Sequence, residues 1–489
     1  MRSTVLALAA LVVLPFAVSQ AADTKGKPNV VVILADDVGW GDPGCYGATK
    51  VKTPNIDKIA TGGVRFEDGH ASAAVCTPTR YSLLTGQYSW RQKAEGLNKG
   101  VASGASPLLI PPATVTAPAL LKKAGYRTAM VGKWHLGFCT EKPDYNEDLT
   151  PGPLDLGFDE FFGIPATNDR MPTVYVRDRR VVGLDPKDPI KYSFNEADAK
   201  AEGLGAWAAG RNRIGWAKGG KAAWWKDDEM ADTLTKEAVK FIERNKESRF
   251  FLLFTPHNVH APTVPNARFV GTSGLGNRGD ALHELDASVG QILDTLDKLK
   301  LADDTLVVFS SDNGAYVTDE KGHKPNGPFR GKKSQLWEGG HRVPLIARWP
   351  GRIKAGVSTD LASTIDVPAT VCAAAGVDLP KGALPDSFNL LPALTGVKDA
   401  GKRDHLVVMS GNGHLAIRSA GWKYIPDLTH ADGWESGKEK KPDAPTGPGL
   451  YDLSRDAGET TNLVKEKDAE AKRLAEKLAW VRATAVTRP

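Results

Sequence analysis

Cysteine is nearly absent from this chain. Its four cysteines in 489 residues (Cys45, Cys76, Cys139 and Cys372) are too few and too scattered to staple a fold of this size. None forms a C-x-x-C pair with zinc spacing. Long apolar runs are equally scarce. Beyond the first stretch of the chain no segment could span a bilayer, so no stable membrane insertion is expected. A dominant charge is missing too: 63 Lys and Arg stand against 58 Asp and Glu, a formal net charge of +5. With no dense basic block interleaved with aromatics, a nucleic-acid partner is excluded. Internal repeats and long low-complexity tracts are also lacking. What remains is ordinary for a globular protein, at 41% hydrophobic and 25% charged residues. The length exceeds one typical domain, so a large domain with a smaller companion is expected.

Residues Met1 to Ala22 read as a signal peptide. Arg2 supplies the positive start, Val5 to Val18 the apolar run, and Ser19-Gln20-Ala21 the small residues around a cleavage point. No cysteine follows the run to be lipidated, since the first is Cys45. The mature protein is therefore expected in the periplasm or outside the cell.

The β-branched run Asn29 to Leu34 suits a strand buried on both faces and stops abruptly at Ala35-Asp36-Asp37. Thr53-Pro54 opens a helix that Gly62-Gly63 closes, and a second helix runs from Thr116 to Ala124. A short strand is expected near Val64 to Glu67, and others over Tyr126 to Val131, Phe250 to Thr255 and Thr305 to Phe309. Helical patterns occupy Met230 to Glu243 and the apolar stripe from Leu282 to Leu299. From Cys139 to Trp225 the chain is irregular, and a loop this long is usually functional. Its Trp207, Trp216, Trp224 and Trp225 fit local core packing better than sugar stacking. From about His405 short strands lead to Leu450-Tyr451-Asp452-Leu453 and a charged helix from Glu466 to Val481. The fold expected is α/β, a large mostly parallel sheet flanked by helices over residues 23–400. A smaller α+β domain with an antiparallel sheet is expected over 401–489.

Four of these strands end in chemically able residues: Asp36-Asp37, Lys133-x-His135, His257 with His260, and Asp312-Asn313. Ligands of open α/β sheets bind outside the strands' carboxyl ends, so these groups should converge. Asp36, Asp37, Asp312 and Asn313 form an oxygen-only set that suits Ca²⁺ or Mg²⁺ rather than zinc. Between the first strands lies Val75-Cys76-Thr77-Pro78-Thr79-Arg80-Tyr81-Ser82-Leu83-Leu84-Thr85-Gly86. Cys76 stands at the start of a helix-compatible run, where free N–H groups and the dipole favour a nucleophile or an anion. Arg80 lies one turn further on, in reach of an anionic group there. The competing reading of Cys76 is a small core residue.

These twelve residues resemble the type I sulfatase signature, C-x-P-x-R followed by L-L-T-G, with Thr79 where serine is usual. Gly132-Lys133-Trp134-His135-Leu136-Gly137, His260-Ala261-Pro262 and Gly331 to Pro344 resemble further blocks of that family, which belongs to the alkaline phosphatase superfamily. The resemblance implies a sulfuric ester hydrolase of arylsulfatase type. Its cysteine is oxidised to formylglycine by a separate maturation enzyme, and the hydrated aldehyde attacks a sulfate monoester. It further implies metal ligation by Asp36, Asp37, Asp312, Asn313 and position 76, with Ca²⁺ the expected ion and Mg²⁺ the alternative. Arg80, Lys133, His135, His260 and Lys333 become catalytic, and Lys133, His260 and Lys333 contact substrate. His257 competes with His260, and Lys332 with Lys333, the H-x-P and E-G-G contexts favouring His260 and Lys333. A sulfated carbohydrate is the expected substrate. Two rivals stay open: a two-metal phosphatase or phosphodiesterase of the same superfamily, and a non-catalytic carbohydrate-binding relative that keeps its thiol.

Overall fold

A computed structural model describes residues 26–94, 96–206, 213–397, 402–436 and 445–489. The expected signal peptide and Trp207 lie outside these residues. Seventeen strands occur among them. β1 to β6 are Asn29–Ala35, Val64–His70, Arg127–Lys133, Glu160–Ile164, Val176–Arg177 and Arg180–Val181. β7 to β9 are Lys191–Ser193, Gly205–Ala206 and Trp216–Lys218, and β10 to β13 are Phe250–Thr255, Thr305–Ser311, Leu345–Arg348 and Gly356–Ser363. β14 to β17 are Leu406–Met409, Leu415–Ser419, Trp422–Ile425 and Gly449–Asp452.

The apolar run of β1 makes it the middle of the molecule. All seven of its residues are buried, and because side chains alternate across a strand they divide between two cores. Val30, Val32 and Leu34 join one, while Val31, Ile33 and Ala35 join the other. Two helical layers therefore sandwich a ten-stranded sheet of order β13-β2-β12-β11-β1-β10-β3-β4-β5-β6. The run β11-β1-β10-β3-β4 is parallel throughout, so five strands deliver their carboxyl ends to one rim. Near the C-terminus β14-β15-β16-β17 form a separate antiparallel sheet. The helix Asp468–Ala483 buries Leu474, Leu478 and Val481 against it in a third core.

Several details depart from the sequence reading. The segment expected to be irregular contributes β4 to the main sheet and a small sheet of its own, β7-β9-β8. Glu160 to Ile164 is short and carries a charge and a glycine, which conceals it from a hydrophobic-run criterion. Trp225 is buried there, as core packing predicts. Thr53 stands at a helix start, but its hydroxyl accepts from Gly44 N instead of capping. The Asp286 carboxylate, on the helix Asn277–Lys298, takes Asn55 N and Ile56 N in its place. Thr116 does cap its own helix, accepting from Ala119 N. All four cysteines are unpaired. No helix among the described residues is long and apolar enough to cross a membrane.

One buried ion pair ties the second sheet to the first. Arg403, just before β14, donates Nε to Asp366 Oδ2 at 2.9 Å and Nη2 to the Asp386 carbonyl at 2.7 Å, and neither Arg403 nor Asp366 has an exposed side chain. Arg403→Met should cost about 3–5 kcal/mol, because Asp366 would remain as a buried, uncompensated charge. Urea unfolding monitored by fluorescence measures this. A loss under about 1 kcal/mol would mean that water reaches Asp366 and the pair is not structural.

Candidate active site

The acidic centre begins where β1 ends. Asp37 adopts φ 61°, a left-handed turn that aspartate tolerates better than most residues. The turn aims Asp36 and Asp37 across the rim toward Asp312 and Asn313, which follow β11. Asp37 N donates to Asp312 Oδ1 at 3.3 Å, and Asn313 Nδ2 donates to Asp37 Oδ1 at 2.6 Å. All four side chains are buried. Burial alone would raise the Asp37 carboxyl, but Lys333, His260 and Lys133 outweigh it and hold it well below the usual range. Asp312 goes the other way: burial and the neighbouring Asp36 raise it despite Arg80 and Lys133.

Three cations meet these three carboxylates, Arg80 and Lys133 buried and Lys333 half-buried. Lys133, the last residue of β3, places Nζ 2.7 Å from Asp36 Oδ2. Gly132 before it is obligatory: its φ is +126°, and a Cβ there would lie 2.0 Å from the Thr255 carbonyl. Lys333 Nζ lies 2.7 Å from Asp37 Oδ1, whereas Lys332 turns outward to Glu435. Arg80 donates Nε and Nη2 to Asp312 Oδ2 at 3.0 and 2.7 Å and Nη1 to the Lys133 carbonyl at 2.9 Å.

Cys76 is the first residue of the helix Cys76–Thr85, whose ten residues are all buried. Val75 before it is extended and offers no side-chain cap, so the first-turn N–H groups remain for an anion. The hydroxyl at Thr79 is used twice, donating to the Ala73 carbonyl and accepting from Ala73 N, which braces the loop leading into Cys76. Burial pushes the Cys76 thiol up in spite of Lys133 and Lys333.

His135 stands two residues after Lys133, a spacing that in an extended chain points both side chains to one side, but its own backbone is not extended. Its φ is +59°, yet Lys133 remains the foremost charge acting on its imidazole, and burial with that charge lowers the His135 pKa well below the usual range. His135 Nε2 bonds the Ala102 carbonyl at 2.8 Å, while Nδ1 is buried without a partner. Thr77, beside Cys76, donates to the His135 carbonyl, tying that segment to the helix start. His260 Nε2 lies 4.0 Å from Asp37 Oδ2. His257 is also buried, and its Nδ1 has no partner. The backbone pair Asp36 N to Asn258 O and Val259 N to Asp36 O, at 2.9 and 2.5 Å, fixes this histidine loop against the acidic centre.

The structure thus gathers Asp36, Asp37, Cys76, Arg80, Lys133, His260, Asp312, Asn313 and Lys333 around one point, with His135 tied to the helix start. The sequence reading missed Asn168, Asp169 and Arg170, which follow β4. Asn168 Nδ2 donates to the His260 and Pro262 carbonyls. Burial raises the Asp169 carboxyl, but His260, Arg170 and Lys333 together hold it low. Their signal lay behind an unread strand: β4 is a fifth parallel strand followed by polar residues, and its own composition conceals it.

Two orphaned atoms bear on metal binding. Asp36 Oδ1 and Asn313 Oδ1 are buried and accept no hydrogen bond, a costly arrangement unless a cation uses them. Asp36, Asp37 and His260 also place one donor atom each within 4.8 Å of one another. The oxygen-rich set fits a hard cation better than a set with an imidazole, because Asn313 Oδ1 is already aimed and unsatisfied.

Comparison with known proteins agrees with this chemistry. The family model described as Sulfatase matches residues 28–377. The chain is 41% identical to an N-acetylgalactosamine-6-O-sulfatase of Bacteroides thetaiotaomicron over 93% of each chain. It is 33% identical to human arylsulfatase A, covering 89% of this chain and 83% of that one. A solved structure described with the metabolism of multiple glycosaminoglycans by Bacteroides thetaiotaomicron superimposes with a TM-score of 0.85 at 42% identity, covering 94% of this chain and 100% of that one. With a family model over most of its length and relatives of this identity and coverage, the chain belongs to the sulfatase family, as a sulfuric ester hydrolase.

Proposed function

We propose that the protein removes sulfate from a sulfated carbohydrate, using a formylglycine made from Cys76 and a divalent cation, Ca²⁺, held by Asp36, Asp37, Asp312 and Asn313 beside position 76. The observation that carries this reading is the charge balance of the buried centre. Three carboxylates face Arg80, Lys133 and Lys333, so the protein groups are neutral together, and a dication makes the centre attractive to an anion. The thiol itself is a poor nucleophile, because burial raises it. Conversion to an aldehyde, once hydrated, supplies a hydroxyl as the nucleophile, and a bound cation would supply fixed positive charge beside it.

The chain's own residues do the rest. Lys133 and Lys333 neutralise sulfate oxygens at the buried end of the site. Arg80 fixes Asp312 and the Lys133 backbone, and so sets where that charge lies. His135 spends Nε2–H on the Ala102 carbonyl, which leaves Nδ1 as a buried proton acceptor for a hydroxyl at position 76. His260 spends Nδ1–H on the Ala261 carbonyl and is held neutral by burial, near 3. Its Nε2 is thus an acceptor that orients the substrate. Lys333, raised by Asp37 against its burial, keeps positive charge at Nζ where charge develops on the leaving oxygen.

The sulfatase relatives named for a GalNAc 6-O-sulfate support a carbohydrate substrate. Residues 23–400 are proposed as the catalytic domain and 401–489 as the C-terminal subdomain. A cleaved leader over Met1–Ala22 and a periplasmic or secreted mature enzyme complete the reading, with a separate maturation enzyme acting on Cys76.

Co-expression with a formylglycine-generating enzyme, followed by peptide mass analysis, should show loss of sulfur at position 76. The purified enzyme should release sulfate from a sulfated monosaccharide panel that includes GalNAc-6-sulfate, and should turn over 4-nitrophenyl sulfate far faster than 4-nitrophenyl phosphate. A retained thiol in active protein, or preference for the phosphate, would refute the assignment.

A further inference from the structure

Outside the catalytic centre lies a second buried charge cluster, between the main sheet and the C-terminal one. Asp68 and His70 of β2 and Glu338 and His341 of the short helix Glu338–His341 come from the main sheet's side. Arg418 of β15, Lys423 of β16 and Glu459 come from the other. Arg418 Nη1 donates to Glu338 Oε2 at 2.9 Å and to Asp68 Oδ1 at 2.8 Å. Lys423 Nζ lies 3.2 Å from Glu338 Oε1 and 2.8 Å from Glu459 Oε1. Glu338 N donates to Glu459 Oε2 at 2.7 Å.

His70, Glu338 and His341 bring donor atoms within 4.8 Å of one another, the pattern of a metal site. The cluster does not fit one. His70 Nδ1 and His341 Nδ1 are bonded to each other at 3.0 Å, Lys423 reaches His341 Nε2 at 3.2 Å, and two buried cations already occupy Glu338. A further cation would meet strong repulsion.

What the cluster touches is the Lys333 loop. Gly339 and Gly340, directly after Glu338, pack beneath that loop. A Cβ at Gly339 would lie 2.3 Å from the Gly331 carbonyl, and one at Gly340 would lie 2.1 Å from the Gln335 carbonyl. Gly314 N donates to the Gly340 carbonyl, and Lys333 N to the Ala315 carbonyl, both at 2.9 Å, so the same turn abuts the Asp312-Asn313 segment. Ser334 N donates to the Ala74 carbonyl at 2.6 Å, two residues before Cys76, and Gly411 N, just past β14, donates to the Ser334 carbonyl at 2.8 Å. Ala71 N donates to the His341 carbonyl at 2.8 Å. The helix bearing Glu338 is therefore bonded to the linker into Cys76 and wrapped by the loop carrying Lys333.

We propose that Glu338 is a positioning residue for Lys333, locked from across the domain interface by Arg418 and Lys423, so that the C-terminal sheet sets where the Lys333 charge meets the leaving oxygen. The inference rests on the sulfatase reading above. Charge at Lys333 matters most when the leaving group is a poor one, because a sugar alkoxide develops more charge on the bridging oxygen than a nitrophenolate does. Loss of position should therefore penalise sugar sulfates selectively.

The test is the charge-neutral pair Glu338→Gln with Arg418→Met, which leaves no isolated buried ion from this pair. The expected result is a folded protein whose kcat/KM for a sugar sulfate falls about tenfold or more beyond its fall for 4-nitrophenyl sulfate, mostly in kcat. A second pair, Lys423→Met with Glu459→Gln, should move the same ratio in the same direction and covers the case in which the first does not fold. Arg418→Lys alone, which keeps the charge with Glu338 in place, should hold the ratio near its wild-type value. Equal losses on both substrates, or no loss, would overturn the proposal and leave only a structural role. Wild-type protein inactive on both sulfates would instead sink the sulfatase reading itself.

Discussion

Cys76→Ala should lower sulfate release by about 10⁴-fold or more, the loss seen when a nucleophile is deleted and only binding and charge stabilisation remain. The same change should cost no more than about 1 kcal/mol of stability. Cys76 is 2% exposed, so the substitution trims a tightly packed side chain rather than one lining an open cleft, but it removes a single sulfur atom. The loop before it is held independently, by the two Thr79 bonds to Ala73 and by Ser334 N on Ala74. Helix start, cations and carboxylates should all stay in place. Matched thermal unfolding curves with an initial-rate assay on an aryl sulfate separate the two effects. Activity within tenfold of wild type would show that position 76 is not the reacting centre.

The central strands were legible because burial on both faces demands continuous apolar runs. β1, β10 and β11 are such runs, and β1 divides its residues between two cores as that pattern requires. The strand ends were legible for the complementary reason. Asp36-Asp37 and Asp312-Asn313 interrupt apolar runs with charge that burial would penalise unless it were paired. What could not be read locally was anything fixed by a distant partner. The helix at Pro54 is capped by Asp286, 231 residues beyond Asn55, and no spacing rule links them. β4, β12 and β13 are short or half-exposed strands whose place in the sheet comes from their neighbours. The left-handed turn at His135 was not readable either, because neither neighbouring glycine marks position 135 itself. Missing β4 also hid Asn168, Asp169 and Arg170.

Removing divalent cations should be as damaging as losing Cys76, and for a reason already visible in the protein groups. Lys133 and Lys333 hold one oxygen each of Asp36 and Asp37 at 2.7 Å, yet Asp36 Oδ1 and Asn313 Oδ1 have no donor. Ammonium groups supply charge but do not satisfy those two oxygens. Dialysis against a chelator should therefore abolish turnover of both aryl and sugar sulfates, and added Ca²⁺ should restore it. The ion should also stabilise the fold, by about 2.7 kcal/mol when present at 100 times its dissociation constant, with the unfolding temperature rising as Ca²⁺ is titrated in. Asp36→Asn, which keeps size but removes charge, should shift that titration to higher Ca²⁺, since affinity for a hard cation follows the number of charged oxygens. Zinc should substitute poorly, because the unsatisfied donors in the set, Asp36 Oδ1 and Asn313 Oδ1, are hard oxygens. Full activity in protein shown by elemental analysis to carry no divalent ion would remove the cation from the mechanism, and Arg80, Lys133 and Lys333 would have to hold the sulfate unaided.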